Sequence, residues 1–286
     1  MYKTIFLPVS SNGDQSPALA FTAALTRSFA AKAEGTFVSK SLVLLQEDER
    51  TKVANVFRKE GFGASQVLTD TLYKEQFKKR AAEVKEWFVK TSSALGGGNS
   101  IIWQDTLDVF GESAEQIRNK CSGHDMTVAS ADISVSIRDT LLEGALFATG
   151  RPLALIRSFT AGKTLEDATI ILAWKQSPQT LRAQWFALPL LQKAKRVVVT
   201  HVQEGDEAED IQGVLRYLEQ HGIQAEAKLL ATVQDAPLML AQAYTEVKAD
   251  LLVMGAYSHS RLREMLFGGF TRYFITDSQC NLLLAH

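Results

Sequence analysis

Short apolar runs alternate with amphipathic stretches from one end of the chain to the other, and this alternation limits the fold more than any other feature. In the second half, residues 168–174 (ATIILAW) are continuous, short and β-rich, as in a strand buried on both faces. Residues 177–193 then show helical spacing through Leu181, Trp185, Leu188 and Leu191, with Ser177 as N-cap and Pro178 as first helical residue. Strands over 196–202, 225–231, 250–254 and 281–285 alternate with helices over 209–221 and 235–248, and a glycine-bearing loop and helix precede the last strand. The polar 225–231 segment is predicted at a sheet edge. The first half repeats this order. It reads as strands over 4–9, 35–43, 100–106, 125–130 and 152–156, with helices over 16–31, about 70–93, 111–120 and 134–149. Strands alternating with helices of this length imply βαβ units and parallel sheets covered on both faces, an α/β fold.

Two local matches make this a repeat. Residues 125–128 (DMTV) match 250–253 (DLLV), and 5–9 (IFLPV) match 170–174 (IILAW), at offsets of 125 and 165. The first copy therefore carries about forty extra residues between its first and fourth strands, assigned to a helical insertion within 46–90. The predicted organisation is two tandem domains, 1–158 and 166–286, joined by a linker over 158–166.

Composition removes several function classes. Lys plus Arg total 31 and Asp plus Glu 32, a net charge of −1, which lacks the basic excess of a nucleic-acid binder. With 46% hydrophobic and 22% charged residues the chain is an ordinary globular mix. Cys121 and Cys280 form no disulfide framework and read as small buried hydrophobes. No apolar run reaches the roughly 18 residues of a membrane span, and the N-terminus lacks a secretory signal. A cytoplasmic protein without membrane or nucleic-acid partners is expected.

Most motif chemistry is also absent. Ala161–Thr164 (AGKT) mimics the end of a P-loop, but Arg157 stands where its first glycine belongs and a strand follows where a helix should. There is no G-x-G-x-x-G and no G-x-S-x-G. His124, His201, His221, His259 and His286 are scattered without metal-ligand spacing, and no nucleophile stands beside a base. One segment rises above this background. The strand ending in Met254 delivers Gly255 at its carboxyl end, and thirteen residues later Gly268 and Gly269 open the next helix, with Thr271 in its first turn. Glycines let backbone approach an anion, and free N–H groups at a helix start supply donors. Arg261, Arg263 and Arg272 add positive charge, opposed by Glu264. The competing reading is a turn whose glycines satisfy only local geometry. His259 reads as an exposed loop residue.

This segment, with Thr149–Pro152 (TGRP) and the opening MYKTIFLPVS, resembles the universal stress protein family, whose signature is G-x-x-G, nine residues, then G-S/T. The resemblance covers most of the chain, as a tandem member. It implies Rossmann-like (adenine nucleotide α-hydrolase-like) domains, each an open five-stranded parallel sheet of order 3-2-1-4-5, and pairing of last strands as an internal pseudo-dimer, with a homodimer as a further partner. It also implies ATP or another adenine nucleotide, with Mg²⁺, in the C-terminal domain, and at most weak hydrolysis, since no side chain identifies itself as a base. Carried over by position, Gly255, Gly268 and Thr271 match the phosphate-binding elements, and Met254 and Val202 the apolar positions near base and sugar. Ala173, Trp174 and Phe270 complete the candidate site.

Three positions depart from the family pattern. Ser258 replaces the second glycine, Gly269 replaces the Ser/Thr, and Lys175 stands where nucleotide-binding members usually carry aspartate. A lysine cannot accept the hydrogen bonds an aspartate offers to adenine or ribose. In the first domain Ser10 corresponds to Lys175, Ser130 to Gly255, and Glu143 to the phosphate-loop glycine, so no nucleotide is predicted there. Two readings stand open: a nucleotide-binding stress protein, and an interaction module of the same fold without nucleotide.

Overall fold

In the computed structural model, residues 1–40, 45–106, 110–111, 113–203, 210–231, 235–256 and 269–286 are described. Strands β1 (Thr4–Val9), β2 (Lys32–Phe37), β3 (Ile101–Trp103), β4 (Met126–Ser130) and β5 (Leu153–Ile156) come from the first half. The second half supplies β6 (Thr169–Ala173), β7 (Arg196–Gln203), β8 (Ala225–Ala231), β9 (Leu251–Gly255) and β10 (Leu282–Ala285). Together they form one ten-stranded sheet of order β3-β2-β1-β4-β5-β10-β9-β6-β7-β8. The two five-stranded sheets expected from sequence thus join edge to edge through their last strands. Counted within its half, each set runs 3-2-1-4-5 and is parallel, and the halves fuse where β5 meets β10 antiparallel, Leu155 opposite Leu282 and Leu153 opposite Leu284. The seam is dry because every residue of both strands is buried.

The helices over the sheet follow from burial and capping. Helix α1 (Ser16–Phe29) starts with Pro at its second position and ends two residues before the predicted end, capped by Ala30 at φ +49°. The insertion predicted within 46–90 is a hairpin of α2 (Glu47–Glu60) and α3 (Phe62–Ala94), turning at Gly61 with φ +84°. Helix α2 escapes sequence reading because only Glu49 of it is buried, so it shows no apolar stripe. Its anchor is polar: Glu49 Oε2 accepts from the Gln46 N–H at 2.9 Å and Oε1 from Gln76 Nε2 at 2.6 Å. Helix α3 buries Phe77, Val84 and Phe88 against the sheet, and Gly35 of β2 makes room, since a Cβ there would lie 2.4 Å from the Phe88 ring.

Other boundaries shift for local reasons. Strand β2 begins at Lys32 because its register places Lys32 opposite Thr4, and it ends at Phe37, short of the predicted 43. Helix α4 is Ala114–Ser122, capped by the Ser113 hydroxyl. The helix predicted over 134–149 is α-helical only as α5 (Val135–Leu141) and continues as π-helix through Phe147. That change seats Gly144 against α4, where a Cβ would be 2.6 Å from the Ala114 carbonyl oxygen. In the second half, α6 (Pro178–Lys193), α7 (Ile211–Gln220), α8 (Ala236–Glu246) and α9 (Gly269–Thr276) cover the sheet. Strand β8 lies at the edge, largely exposed.

The apolar core on one sheet face runs through both halves, from Phe21 and Phe29 to Leu188 and Leu191. The 158–166 stretch belongs to it: the Phe159 ring meets Phe21 at 5.2 Å, and Leu165 is buried. The P-loop mimic also has a structural role, because Lys163 pairs with Asp250, whose other oxygen accepts from the Thr169 N–H at 2.9 Å. Among the described residues no helix is long and apolar enough to cross a membrane.

Candidate functional site

Parallel strands bring their carboxyl ends to one edge, and a crevice opens where neighbouring strands connect in opposite directions. In the second half β6 leads outward to β7, while β9 lies on its other side. A cavity of about 250 Å³ sits at that switch point. Its floor is Ala173, Thr200, Val202 and Met254 from the strand ends, with Gly255 beside them. One wall is the start of α6. Ser177 caps this helix by accepting from the Thr180 N–H at 3.2 Å, and its hydroxyl lies 3.0 Å from Thr180 Oγ1. Opposite stand Phe270 and the buried Thr271 in the first turn of α9, and Ala236 and Leu240 of α8 close the third side.

Most of the residues named from sequence meet here: Ala173, Trp174, Lys175, Val202, Met254, Gly255, Phe270 and Thr271 all line the cavity. Gly269 does not. It stands exposed at the start of α9, with nothing within 4 Å of where a Cβ would project. Ser258 and Gly268 lie outside the described residues, as do His259, Arg261, Arg263 and Glu264. Sequence reading missed Ser177, Gln179, Thr180, Thr200, Ala236 and Leu240 as lining residues. Thr200 had a usable signal: it lies two positions from Val202 on β7, so period-2 alternation puts both on the same sheet face. Ala236 and Leu240 are an i, i+4 pair on α8.

Gly255 acquires a meaning that spacing did not reveal. A Cβ on it would lie 2.6 Å from the Thr180 backbone nitrogen, 2.8 Å from the Gln179 carbonyl carbon and 2.9 Å from Gln179 Cβ. The first turn of α6 therefore presses directly on the end of β9, and only glycine admits that approach. Trp174 is held equally firmly. Its N–H donates to the Thr200 carbonyl at 2.8 Å, and its carbonyl accepts from His201 Nδ1 at 3.0 Å.

The polar character of the cavity is unusual. Among the described residues its one charged lining side chain is the exposed Lys175, and no carboxylate lines it. Trp174, Thr200 and Gln179 each keep one polar side-chain atom (Nε1, Oγ1 and Oε1) without a hydrogen-bond partner, but these atoms are buried away from the open cavity. The size fits a base or nucleoside better than a complete triphosphate, since pockets for drug-sized ligands run from roughly 300 Å³ upward. Mg²⁺ prefers carboxylates and phosphates. The described lining offers it only hydroxyls and amide oxygens, so the residues do not fit a protein-held Mg²⁺.

Residues 158–286, which contain this cavity, match the Universal stress protein family model. The match covers 129 of the 286 residues. The likeness of fold extends over the whole chain. A universal stress protein from Archaeoglobus fulgidus DSM 4304 superposes over 99% of this chain and 95% of its own, at 14% identity and a TM-score of 0.67. A putative universal stress protein from Pseudomonas aeruginosa UCBPP-PA14 covers 99% and 93%, at 11% identity and a TM-score of 0.55. A functionally unknown protein from Pseudomonas aeruginosa PAO1 covers 99% and 92%, at 10% identity and the same TM-score of 0.55. No curated protein matches the chain in sequence.

In the first half of the chain the corresponding strand ends are arranged differently. Ser130, at the end of β4, donates from Oγ to the Asp14 carbonyl at 2.5 Å and accepts from the Asp132 N–H at 3.2 Å. Gly13, at φ +74°, lies so close to Asp132 that a Cβ would stand 2.3 Å from its carbonyl oxygen. Glu143 is exposed and points no buried charge at this edge.

Proposed function

We propose that the chain acts in stress response by binding one adenine nucleotide per molecule in the C-terminal cleft. The base and ribose occupy the cavity, and the phosphates extend toward Lys175 and the start of α9. The observation that carries this reading is the cavity itself, at the switch point of the half that matches the universal stress protein model. Binding, not turnover, is the proposed activity, because no described lining residue is a carboxylate or imidazole that could serve as a base. A second reading, an interaction module without nucleotide, draws on Gly255, whose identity packing explains without a ligand.

Calorimetric and thermal-shift titrations with adenosine, AMP and ATP, each with and without Mg²⁺, separate the two. A ligand at a hundred times its Kd adds about 2.7 kcal/mol to stability, a shift readily seen. Saturation at one ligand per chain supports the proposal. No heat and no shift at millimolar concentrations overturns it in favour of the interaction module.

A further inference from the structure

A second groove, of about 380 Å³, lies between α6 and α7. It opens on the sheet face opposite the C-terminal cleft. Its Trp174 and Val214 belong to the core shared with α1 and α3, whereas Ala173, Val202 and Met254 of the cleft pack on the other side. The rim is apolar and open, with Leu181 50% and Trp185 63% exposed on α6 and Tyr217 on α7. Among the described residues one charged side chain lines it, Asp210, and that carboxylate is already engaged. It accepts from the Gly213 N–H at 2.8 Å and has Arg216 at 4.0 Å, so the groove presents little net charge.

Gln184 sets this groove apart. The buried face of α6 runs through Thr180, Gln184, Leu188 and Leu191 at helical spacing, and a leucine at 184 would extend its apolar stripe. The glutamine there is 4% exposed, yet among the described residues its side chain makes no hydrogen bond. Unlike Trp174 Nε1, neither of its amide atoms is fully occluded, so the little surface it keeps opens into the groove. Buried polar groups nearly always find partners, and this one asks for a partner from outside. A carboxamide donates and accepts side by side. A residue of extended polypeptide answers both at once, because its N–H and C=O point the same way, as in a paired strand. Trp and Tyr are also the side chains that dominate docking surfaces. We infer that the groove between α6 and α7 docks an extended, uncharged segment of a partner protein. That segment sets a backbone N–H and C=O on the Gln184 amide and an apolar side chain against Trp185 and Tyr217.

The experiment uses the full chain labelled with fluorotryptophan and followed by fluorine NMR. Trp174 and Trp185 line the groove, while Trp87 and Trp103 lie in the first half and serve as references. The probes are N-acetylleucinamide, N-acetylglycinamide and a blocked pentapeptide with leucine between paired alanines. The pentapeptide should shift the Trp174 or Trp185 signal saturably, and bind more tightly than N-acetylleucinamide because it also covers Leu181. N-acetylglycinamide, with no apolar side chain to bury, should bind about fivefold more weakly than N-acetylleucinamide. Gln184→Leu should unfold at the wild-type temperature or higher while binding the pentapeptide about fivefold more weakly. Trp185→Ala, at an exposed position, should keep the wild-type unfolding temperature and weaken binding to a similar degree. Equal pentapeptide binding by wild type and both variants overturns the inference, as does the lack of any saturable shift. A lowered unfolding temperature for Gln184→Leu also overturns it, since the amide would then be serving the fold. N-acetylleucinamide bound as tightly as the pentapeptide would give the groove to a free amide instead of a docked segment. A dimer in sedimentation velocity that Trp185→Ala dissolves would give it to a second copy of this chain, and each of these two results overturns the inference. All these readings are taken without nucleotide, so the proposed function stands or falls separately.

Discussion

Gly255→Ala tests whether that glycine serves the fold or only a ligand. Non-bonded heavy atoms settle at about 3.5–4.0 Å, and the added Cβ would stand 2.6 Å from the Thr180 nitrogen and 2.8 Å from the Gln179 carbonyl carbon. Both are backbone atoms that no rotamer change can move aside, so the start of α6 must retreat by close to an ångström. Overpacking of this kind costs about 1–3 kcal/mol. The retreat also pulls the Thr180 N–H from the Ser177 hydroxyl, already at 3.2 Å, and a lost N-cap adds about 1 kcal/mol. Urea unfolding of the nucleotide-free protein should therefore show Gly255→Ala less stable by about 2–4 kcal/mol. Gly269→Ala is the control: its Cβ would meet nothing within 4 Å, and the variant should be neutral or gain up to about 1 kcal/mol from a less flexible unfolded chain. If glycine at 255 existed only to let a phosphate approach, Gly255→Ala would unfold like wild type while binding nucleotide more weakly. That result would refute the packing argument.

Two further outcomes are expected. The buried Asn281 side chain accepts from the Arg157 and Ser158 N–H groups at 2.8 and 3.1 Å and donates to the Ser158 and Asp250 carbonyls at 2.7 and 2.8 Å; Asn281→Ala strands these groups beside the seam and should cost roughly 2–4 kcal/mol in denaturant unfolding. Burial holds the His124 imidazole below its ordinary range, with the adjacent Lys120 charge acting the same way and Asp125 opposing; the unfolded chain then binds the proton more readily, so stability is full above the unfolded value of about 6.5 and falls as pH drops below it, a decline that His124→Gln should flatten when unfolding midpoints are compared at pH 7.5 and 5.5.

What the sequence made legible was whatever a local pattern encodes. Buried strands such as β4 and β9 are written as short apolar runs, and Ser177 with Pro178 marks the start of α6. Helix α2 carries no such mark, because its anchor, Glu49, reaches Gln76 on the next helix. At the site, Val202 and Met254 were visible as apolar strand ends. Thr200 and Gln179 were not, since an ordinary threonine and glutamine join a site only through the fold that brings β7 and α6 together. Gly255 stood out as a glycine, but its reason lies 75 positions away in sequence, in the first turn of α6. The seam was expected from pairing of last strands, yet no local pattern shows that it merges both sheets into one.

The same physics explains why two copies of one topology offer unequal clefts. Between β6 and α6 the chain spends four residues, Trp174 to Ser177, and the helix drops at once onto Gly255. Between β1 and α1 it spends six, Ser10 to Gln15. The longer connection folds over the strand ends: Gln15 Nε2 donates to the Asn12 carbonyl at 2.8 Å, Gly13 rests on Asp132, and the Asp14 carbonyl takes the Ser130 hydroxyl. Serine in place of glycine is thus part of the closure. In β9 a side chain at that position would collide with the helix; in β4 it becomes the hydrogen bond that holds the loop down. A ligand entering the first-half crevice would have to break that bond and lift the Gly13 turn, whereas in the second half it meets an open cavity. Closure in one half and an open cavity in the other together favour a single ligand per chain, and they locate the difference in two loop residues and one glycine without any change in strand order.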